Sequence, residues 1–319
     1  MRLVLKYDCQ AKPRLLQPTY KGIIKFMHPQ YAGTIEKLSR WSQQEPSIQG
    51  LLVLGSQVRD QYKGDEWSDL DVLLLAVAPH VLMRSNAWLN LLGEVVCVVE
   101  EETYLDWINL TWSVKRVLFA DHRAVDFSIL PAERVDDVLV MNADIHAHGY
   151  QIIYDAHPNL LMDKIEAILA HQNSETPKAP SQDELQQVID QLLFQLIFAG
   201  KKIKRNELWV AVCTINQPVS KLLLQLIEYH TTTVVKTSQD IRYNGRFLEG
   251  RVAPTLLEKL PGCFARYDRL DAIQTIGRLL EITDFLSRQI CEIQGYSFNA
   301  DPVRKAQKLF EDMFANENI

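Results

Sequence analysis

The sequence has few cysteines, and none of them are paired at a spacing that binds zinc. The five are scattered along the chain and odd in number: Cys9, Cys97, Cys213, Cys263 and Cys291. Disulfide-stabilised folds and structural zinc sites both depend on regular or closely spaced cysteines. The pattern therefore argues against both classes and indicates reduced thiols, as in a cytoplasmic protein.

The chain also lacks a positive charge excess and a long apolar run. Its net charge is −6, so we expect no nucleic-acid partner, and the acidic balance suits a cationic or metal-neutralised ligand. The N-terminal residues lack the apolar core and cleavage site of a signal peptide. The apolar helical stretch Val188–Gly200 is interrupted by Asp190, Gln191 and Gln195 and is too short to cross a bilayer. We therefore expect no membrane partner.

Two different patterns divide the 319 residues, a length that favours two domains. Strand signals mix with helices in the first half, where Thr34–Gln44 has an apolar helical face. A polar, proline-containing stretch, His171–Glu184, reads as a linker, and long helical periodicity follows it. We predict an α+β fold: a mixed sheet with helices over residues 1–172, then an α-helical bundle over 181–319.

A β-hairpin is predicted near the middle of the first half. Two apolar runs, Val117–Ala120 and Val125–Leu130, flank the polar turn Asp121–Arg123. The second run contains Asp126, an acid inside an apolar strand, where an unpartnered charge is unfavourable. An ion pair with Arg123 is one explanation of Asp126, and a functional role is the other.

The most informative stretch is "LLVLGSQVRDQYKGDEWSDLDVLLL", residues 51–75. Side chains alternate between the two faces of a strand, so Asp69 and Asp71 point the same way. Two such carboxylates repel each other unless a cation lies between them. Mg²⁺ is a hard ion that takes carboxylate and phosphate oxygens together. The pair therefore suits a metal–triphosphate site.

Gly55 and Ser56, at the end of the first apolar run, fit the same site. Glycine allows the backbone to approach a phosphate closely, and the following N–H groups and the Ser56 hydroxyl can donate hydrogen bonds to it. An Asp-x-Asp pair alone is mostly a solvated strand end. The ordered combination of apolar strand, Gly-Ser, polar loop, Asp-Leu-Asp and apolar strand is much more specific.

These residues resemble the signature of the nucleotidyltransferase superfamily, h-G-S followed by D-h-D-h. Within it the chain is similar to the aminoglycoside 6-adenylyltransferases, also called streptomycin adenylyltransferases. Four further segments resemble motifs of that family in the right order: "AWLNLLG", "VLFADHRAVDFSILP", "GKKIKRNELWVA" and "NGRFLEGRVAPTLLEKLPGCFARYD". The likeness covers nearly all of the chain after about residue 30.

The resemblance implies a role for each matching residue. Asp69 and Asp71 match the carboxylate pair that binds two metal ions, and Asp126 matches the third carboxylate, as metal ligand, general base or both. Lys201 matches a helical-domain lysine that reaches the triphosphate across a cleft between the domains. Arg205 and Glu207 match the same motif, although "GKKIKR" could also be only a basic helix end.

The chain departs from the family at Gln57, where arginine usually follows Gly-Ser. Arg59 lies two residues further on and could replace that arginine as a nucleotide contact. The first thirty or so residues match no motif. These departures affect the prediction of the acceptor more than that of the reaction.

The implied function is Mg²⁺-dependent transfer of AMP from ATP to a hydroxyl of a small cationic acceptor, such as the aminoglycoside streptomycin. The alternative is a nucleotide-binding or regulatory protein of the same fold without that activity, or one that modifies a protein. Gln57 motivates this alternative, and the presence of all three carboxylates argues against a loss of catalysis.

Other candidates are weaker. Glu100–Glu102 could line a pocket for a polycation or lie in a solvated loop, and His146 and His148 are more typical of a surface strand than of a metal site. Four tryptophans are expected in the core: Trp88, Trp107, Trp112 and Trp209.

Overall fold

The computed structural model describes residues 27–59, 63–141, 149–157, 159–170, 179–235 and 245–317. The chain divides into two compact units, Met1–Asn173 and Ser174–Ile319. The first contains a mixed sheet with helices, and the regular elements described in the second are all helical. The predicted α+β fold class is thereby confirmed.

A six-stranded sheet in the order β3-β4-β5-β2-β1-β6 forms the centre of the first unit. Neighbouring strands are antiparallel, except that β2 and β5 run parallel. The strands are β1 (Ile48–Leu54), β2 (Leu70–Ala76), β3 (Val95–Leu105), β4 (Leu110–Phe119), β5 (Ala124–Pro131) and β6 (Tyr150–Asp155). Since β2 and β5 run parallel, their first residues meet at the same edge of the sheet.

Helices cover both faces of this sheet. The α-helices of the unit are α1 (Ala32–Gln44), α2 (Pro79–Arg84), α3 (Val135–Met141) and α4 (Leu160–Leu169). On one face α1 and α2 pack over alternate strand residues such as Val72 and Phe127. On the other face α3 and α4 pack over the strand residues that point the opposite way, such as Leu73 and Leu130. Asp71 and Asp126 belong to this second face, because side chains alternate along β2 and β5.

Local predictions in this unit have mixed outcomes. The hairpin is confirmed as β4 and β5, and the "AWLNLLG" segment is a 3₁₀ helix over Ala87–Leu91. Trp88 is buried and stacks on Trp41 with ring centroids 5.0 Å apart. The expectation that all four tryptophans are buried was wrong, since Trp107 is 70% exposed and Trp209 is 71% exposed.

The second unit buries one apolar core among its helices. These helices are α5 (Gln182–Lys204), α6 (Leu208–Thr214), α7 (Ser220–His230), α8 (Pro254–Leu257), α9 (Arg269–Gln294) and α10 (Asp301–Phe314). A capping box begins α5: the Ser181 hydroxyl accepts from the Glu184 N–H, and the Glu184 carboxylate accepts from the Ser181 N–H. Such a cap satisfies backbone groups that have no partner within the helix.

Leu208–Val234 is a continuous helical stretch in which a π-turn, Ile215–Val219, contains Pro218. Among the described residues it is the one stretch long and apolar enough to cross a membrane by length and composition. It differs from Val188–Gly200, the apolar stretch that the sequence suggested. Part of Leu208–Val234 packs in the core, where Ile215 and Leu226 are fully buried. Core helices pass the same test, so the stretch is weak evidence for a membrane span.

Candidate active site

Three carboxylates meet at the edge of the sheet where β2 and β5 begin. Asp69, Asp71 and Asp126 each offer an oxygen, and these oxygens all lie within 4.8 Å of one another. Asp71 pairs with Asp126 in the parallel β2–β5 register, and Asp69 lies just before β2. Asp69 is exposed and the other two are half-buried. The site that the sequence predicted from two separate segments is thus one cluster.

Opposing electrostatic effects act on Asp126. Burial raises the pKa of its carboxyl group, and the negative charge of Asp69 raises it further. Arg116 on β4 lowers this pKa, because its Nε donates to Asp126 Oδ2 at 3.1 Å. The same guanidinium donates from Nη1 to Glu101 Oε1 at 2.9 Å. Arg116, which is shared with Glu101, thus partly offsets the rise in pKa that burial and Asp69 cause.

The alternative that Arg123 pairs with Asp126 was wrong. Arg123 is buried, and its guanidinium lies 2.8 Å from Asp121 and donates to the Thr34 hydroxyl and the Leu92 carbonyl. Arg116 takes its place beside Asp126 because the hairpin register sets these two residues opposite each other. Arg116 could have been found by extending the predicted hairpin by one residue pair.

Gly55 has the backbone conformation that a close approach requires. Its φ is +74°, and a Cβ at this position would lie only 2.2 Å from Asp71 Oδ2. Only glycine fits a left-handed backbone position that a carboxylate approaches so closely. The Gly-Ser turn and the aspartate pair are therefore in direct contact.

Ser56 carries a buried hydroxyl group that lacks a hydrogen-bond partner. The residue is 3% exposed, and no described residue supplies a bond to its Oγ. Buried polar atoms normally form hydrogen bonds, so a buried hydroxyl group without one needs an explanation. A phosphate oxygen of a ligand would satisfy this hydroxyl, and a divalent cation would satisfy the carboxylates. These groups would suit a metal ion and a triphosphate.

Gln57, the departure from the family pattern, points into the protein. It is 1% exposed, its Oε1 accepts from the His28 N–H at 3.1 Å, and its Nε2 donates to the Ser68 carbonyl at 3.4 Å. Arg59 is 8% exposed, and a Cβ on Gly149 would lie 2.8 Å from its Cα. Both side chains are thus largely enclosed, and the nucleotide contact of Arg59 stays a prediction.

Tyr31 is a residue near the site that sequence reasoning missed. The residue is 1% exposed, and its hydroxyl lies 2.8 Å from the Ser68 carbonyl and 3.1 Å from the Ala124 carbonyl. Those carbonyls come just before Asp69 and Asp126 along the chain. No motif contains Tyr31, so nothing in the sequence indicated this position.

The three glutamates of β3 are separated by strand alternation. Glu100 pairs with the fully buried Lys115 at 2.9 Å, and Glu102 accepts from the Ser113 hydroxyl at 3.2 Å. Glu101 lies on the opposite face of the strand, where it bonds Arg116. Of the three, Glu101 alone shares the sheet face of Asp126.

The predicted residues of the second unit lie at the end of α5. Lys201 is exposed and lines an open groove of about 390 Å³ between α5 and α10, together with Lys305. Glu207 bonds Lys202 and Arg205, each at 2.6 Å. These ion pairs favour the interpretation of Arg205 and Glu207 as a stabilised helix end. The role of Lys201 stays a prediction.

Within the described part of the chain, the three aspartates are the one group of carboxylate, histidine or cysteine side chains spaced to hold a metal ion. His146 and His148 lie outside the described residues, as does Cys9. The other four cysteines are free: Cys97, Cys213, Cys263 and Cys291.

Comparison with known proteins agrees with these observations. The family model described as Streptomycin adenylyltransferase matches residues 30–313. No curated protein sequence matches the chain.

Two solved structures are similar at low identity. An aminoglycoside 6-adenyltransferase from Bacillus subtilis is 15% identical over 88% of this chain and 97% of that one, with a TM-score of 0.43. A nucleotidyltransferase-like protein from Exiguobacterium sibiricum is 11% identical over 90% of this chain and 91% of that one, with a TM-score of 0.32. At these TM-scores neither structure adds weight to the family match. Because the family model spans most of its residues, the chain belongs to the streptomycin adenylyltransferase family and is a nucleotidyltransferase.

Proposed function

We propose that this enzyme transfers AMP from ATP to a hydroxyl group of a small cationic acceptor, an aminoglycoside such as streptomycin, in the presence of Mg²⁺. The observation that carries the proposal is the meeting of Asp69, Asp71 and Asp126 with their oxygens within 4.8 Å. The family supplies the reaction type, and the donor set supplies the fit to ATP and Mg²⁺.

The three aspartates would hold the metal, and Ser56 with the N–H groups of the Gly55 turn would hold the triphosphate. When bound, two Mg²⁺ ions stabilise negative charge on the entering and leaving oxygens. The Ser56 hydroxyl supports this assignment, since a phosphate oxygen would give this buried group the hydrogen-bond partner that it lacks. Arg59 and Lys201 are proposed as further contacts to the nucleotide.

Asp126 is proposed as the group that receives the acceptor's proton. The acceptor oxygen forms a bond to the α-phosphorus of ATP, the bond from that phosphorus to pyrophosphate breaks, and the proton passes to Asp126. In the metal-free protein, burial and the neighbouring Asp69 raise the pKa of the Asp126 carboxyl, which favours uptake of a proton at this position. Arg116 occupies Asp126 Oδ2, so Oδ1 is the oxygen that we assign to this role.

A cationic acceptor suits the charge of this sheet face. Asp69, Asp71, Asp126 and Glu101 contribute four carboxylates, against which Arg116 is the cation bonded to both Asp126 and Glu101. Such a field attracts ammonium or guanidinium groups. We propose that the acceptor approaches along this face. We propose no nucleic-acid or membrane partner, and a cytoplasmic location in keeping with the scattered thiols.

The test is incubation of the protein with Mg²⁺, labelled ATP and a panel of aminoglycosides, with pyrophosphate release as the measurement. We expect acceptor-dependent release that Asp69→Asn and Asp71→Asn abolish. Glu102→Gln, whose side chain bonds Ser113 on the opposite face, serves as the control and should retain activity. ATP binding without acceptor-dependent release would favour the regulatory or protein-modifying alternative.

A further inference from the structure

Two buried side chains converge on one backbone carbonyl beside the carboxylate cluster. The Tyr31 hydroxyl lies 2.8 Å from the Ser68 oxygen, and the Gln57 amide Nε2 lies 3.4 Å from the same oxygen. Ser68 is directly before Asp69, so these bonds act on the peptide that leads into the aspartate pair. We call Tyr31 and Gln57 the Ser68 clamp.

The clamp is anchored on both sides. Gln57 Oε1 accepts from the His28 N–H at 3.1 Å, and the Tyr31 hydroxyl also lies 3.1 Å from the Ala124 carbonyl, two residues before Asp126. Both clamp residues are 1% exposed. The clamp therefore ties the starts of β2 and β5 to the segment that leads into α1.

Asp69 is the carboxylate that most needs such support. Asp71 and Asp126 lie inside paired strands, where the β2–β5 ladder sets their backbone. Asp69 precedes Leu70, the first residue of β2, and its side chain is exposed. Its position relative to the other two aspartates depends on how the Ser68 peptide is held.

The environment of Gln57 argues against direct contact with the nucleotide. Both ends of its amide are bonded inside the protein. A Cβ on Gly64 would lie 2.7 Å from Gln57 Nε2, so the loop backbone covers the amide closely. An arginine at this position would place a charge in a space that holds a neutral group, at considerable cost.

We propose that Tyr31 and Gln57 are positioning residues that hold the Ser68–Asp69 peptide so that Asp69 completes the metal site. This inference rests on the proposed function for the nature of the site. It gives Gln57 a structural task that replaces the expected nucleotide contact. It also gives the segment before α1 a part in catalysis that no motif indicates.

The first test is Tyr31→Phe, which removes one hydroxyl and keeps the ring. The readouts are Mn²⁺ affinity, measured by calorimetric titration with and without ATP, and kcat and KM for transfer. We expect Mn²⁺ affinity and kcat to fall by about three- to tenfold, the range of one lost hydrogen bond, with little change in KM for the acceptor. Tyr154→Phe, at a half-buried tyrosine on β6 beside the same core, is the matched control and should change neither quantity.

The second test compares Gln57→Met with Gln57→Arg. Methionine keeps the length of the side chain without its hydrogen bonds, and arginine is the residue that the family pattern favours. We expect both variants to weaken Mn²⁺ binding and to lower kcat. A gain in ATP affinity or transfer rate with Gln57→Arg would overturn the inference, because it would make this position a nucleotide contact.

Metal binding separates this inference from the proposed function. If the wild type binds Mn²⁺ but transfers nothing, the proposed function fails while the clamp is still judged by the Mn²⁺ affinities. If Tyr31→Phe and Gln57→Met lower only the melting temperature and leave Mn²⁺ affinity and kcat unchanged, the clamp has no positioning role. Absence of Mn²⁺ binding to the wild type, with and without ATP, would overturn both proposals.

Discussion

Asp126 shows how a single residue can serve a site at the expense of the fold. Its carboxyl is half-buried beside Asp69, and both circumstances favour its neutral form. Arg116 offsets part of this cost, but that arginine is half exposed and shared with Glu101. An arrangement of this kind is expected where a carboxylate is needed for metal or proton chemistry.

The first prediction follows from the direction of that pKa shift. A carboxyl whose folded-state pKa is raised stabilises the fold at pH values below its unfolded pKa of about 4, and that contribution is lost as the pH rises through the folded pKa. We therefore expect metal-free Asp126→Asn to melt higher than wild type near neutral pH and to be inactive. Thermal unfolding in EDTA across the acid-to-neutral range measures this.

The gain from Asp126→Asn should shrink as the pH approaches the unfolded pKa. Asp312→Asn, at an exposed aspartate 3.5 Å from Lys308, is the control and should change the melting temperature little. An Asp126→Asn variant that melts at or below the wild-type temperature at neutral pH would contradict the conclusion that the charged form of this carboxyl destabilises the fold.

Single elements bring the site residues into contact, and the Gly55 turn is the clearest case. Its left-handed backbone lets Asp71 Oδ2 occupy the space that a side chain would fill. We expect Gly55→Ala to cost about 1–2 kcal/mol from backbone strain alone, with further loss from the displaced carboxylate. Denaturant unfolding and the transfer assay measure the two effects.

Gly33 provides the matched control for that substitution. It lies in α1, and a Cβ there would meet nothing within 4 Å. Gly33→Ala should therefore stabilise the protein by up to about 1 kcal/mol, because alanine is the better helix former. Equal effects of the two substitutions would remove the special role assigned to the Gly55 backbone.

In the helical unit, a buried histidine of α7 forms a hydrogen bond with α9. His230 is 5% exposed, its Nε2 lies 2.7 Å from Gln289 Oε1, and burial lowers the pKa of its imidazole. The unfolded chain then binds the proton more readily than the folded one. Stability should fall as the pH drops below the unfolded pKa of about 6.5.

Urea unfolding of the wild type and of His230→Gln, each at mildly acidic and at neutral pH, tests this prediction. We expect the variant to lose less stability on acidification than the wild type does. His80→Gln, at an exposed histidine of α2, should leave the acid sensitivity of the wild type unchanged. Identical pH profiles for wild type and His230→Gln would refute the prediction.

At the scale of the whole molecule, each apolar core formed by the described residues belongs to one unit. Two clusters contain only residues of Met1–Asn173, and the third contains only residues of Ser174–Ile319. A unit with its own core is expected to fold by itself. The proposed domain boundaries, 1–172 and 181–319, assume this independence.

Expression of residues 174–319 alone tests that independence. We expect a helical circular dichroism spectrum with a cooperative thermal transition, and no pyrophosphate release, because the three aspartates are missing. The full-length chain is the reference for both measurements. A fragment with helical signal but no cooperative transition would mean that its core needs the rest of the chain.

Much of the site could be read from local sequence. Asp69 and Asp71 were placed on one face by strand alternation, Asp126 stood out as an acid in an apolar strand, and Gly55 and Ser56 preceded the polar loop. Each of these signals depends on residues close together along the chain. The same local logic failed for Trp107 and Trp209, because composition alone does not decide whether an aromatic side chain meets a core.

The fold class and the candidate carboxylates were predictable from periodicity and strand alternation, and the family from the resemblance of short motifs, because all of these signals lie in short segments. The long-range contacts around these carboxylates follow only from the tertiary structure. Tyr31 reaches Ser68 across 37 positions and Ala124 across 93, and His28 reaches Gln57 across 29. Contacts at such separations form only when the sheet and α1 have packed. The meaning of Gln57 therefore depended on what the fold brought beside it.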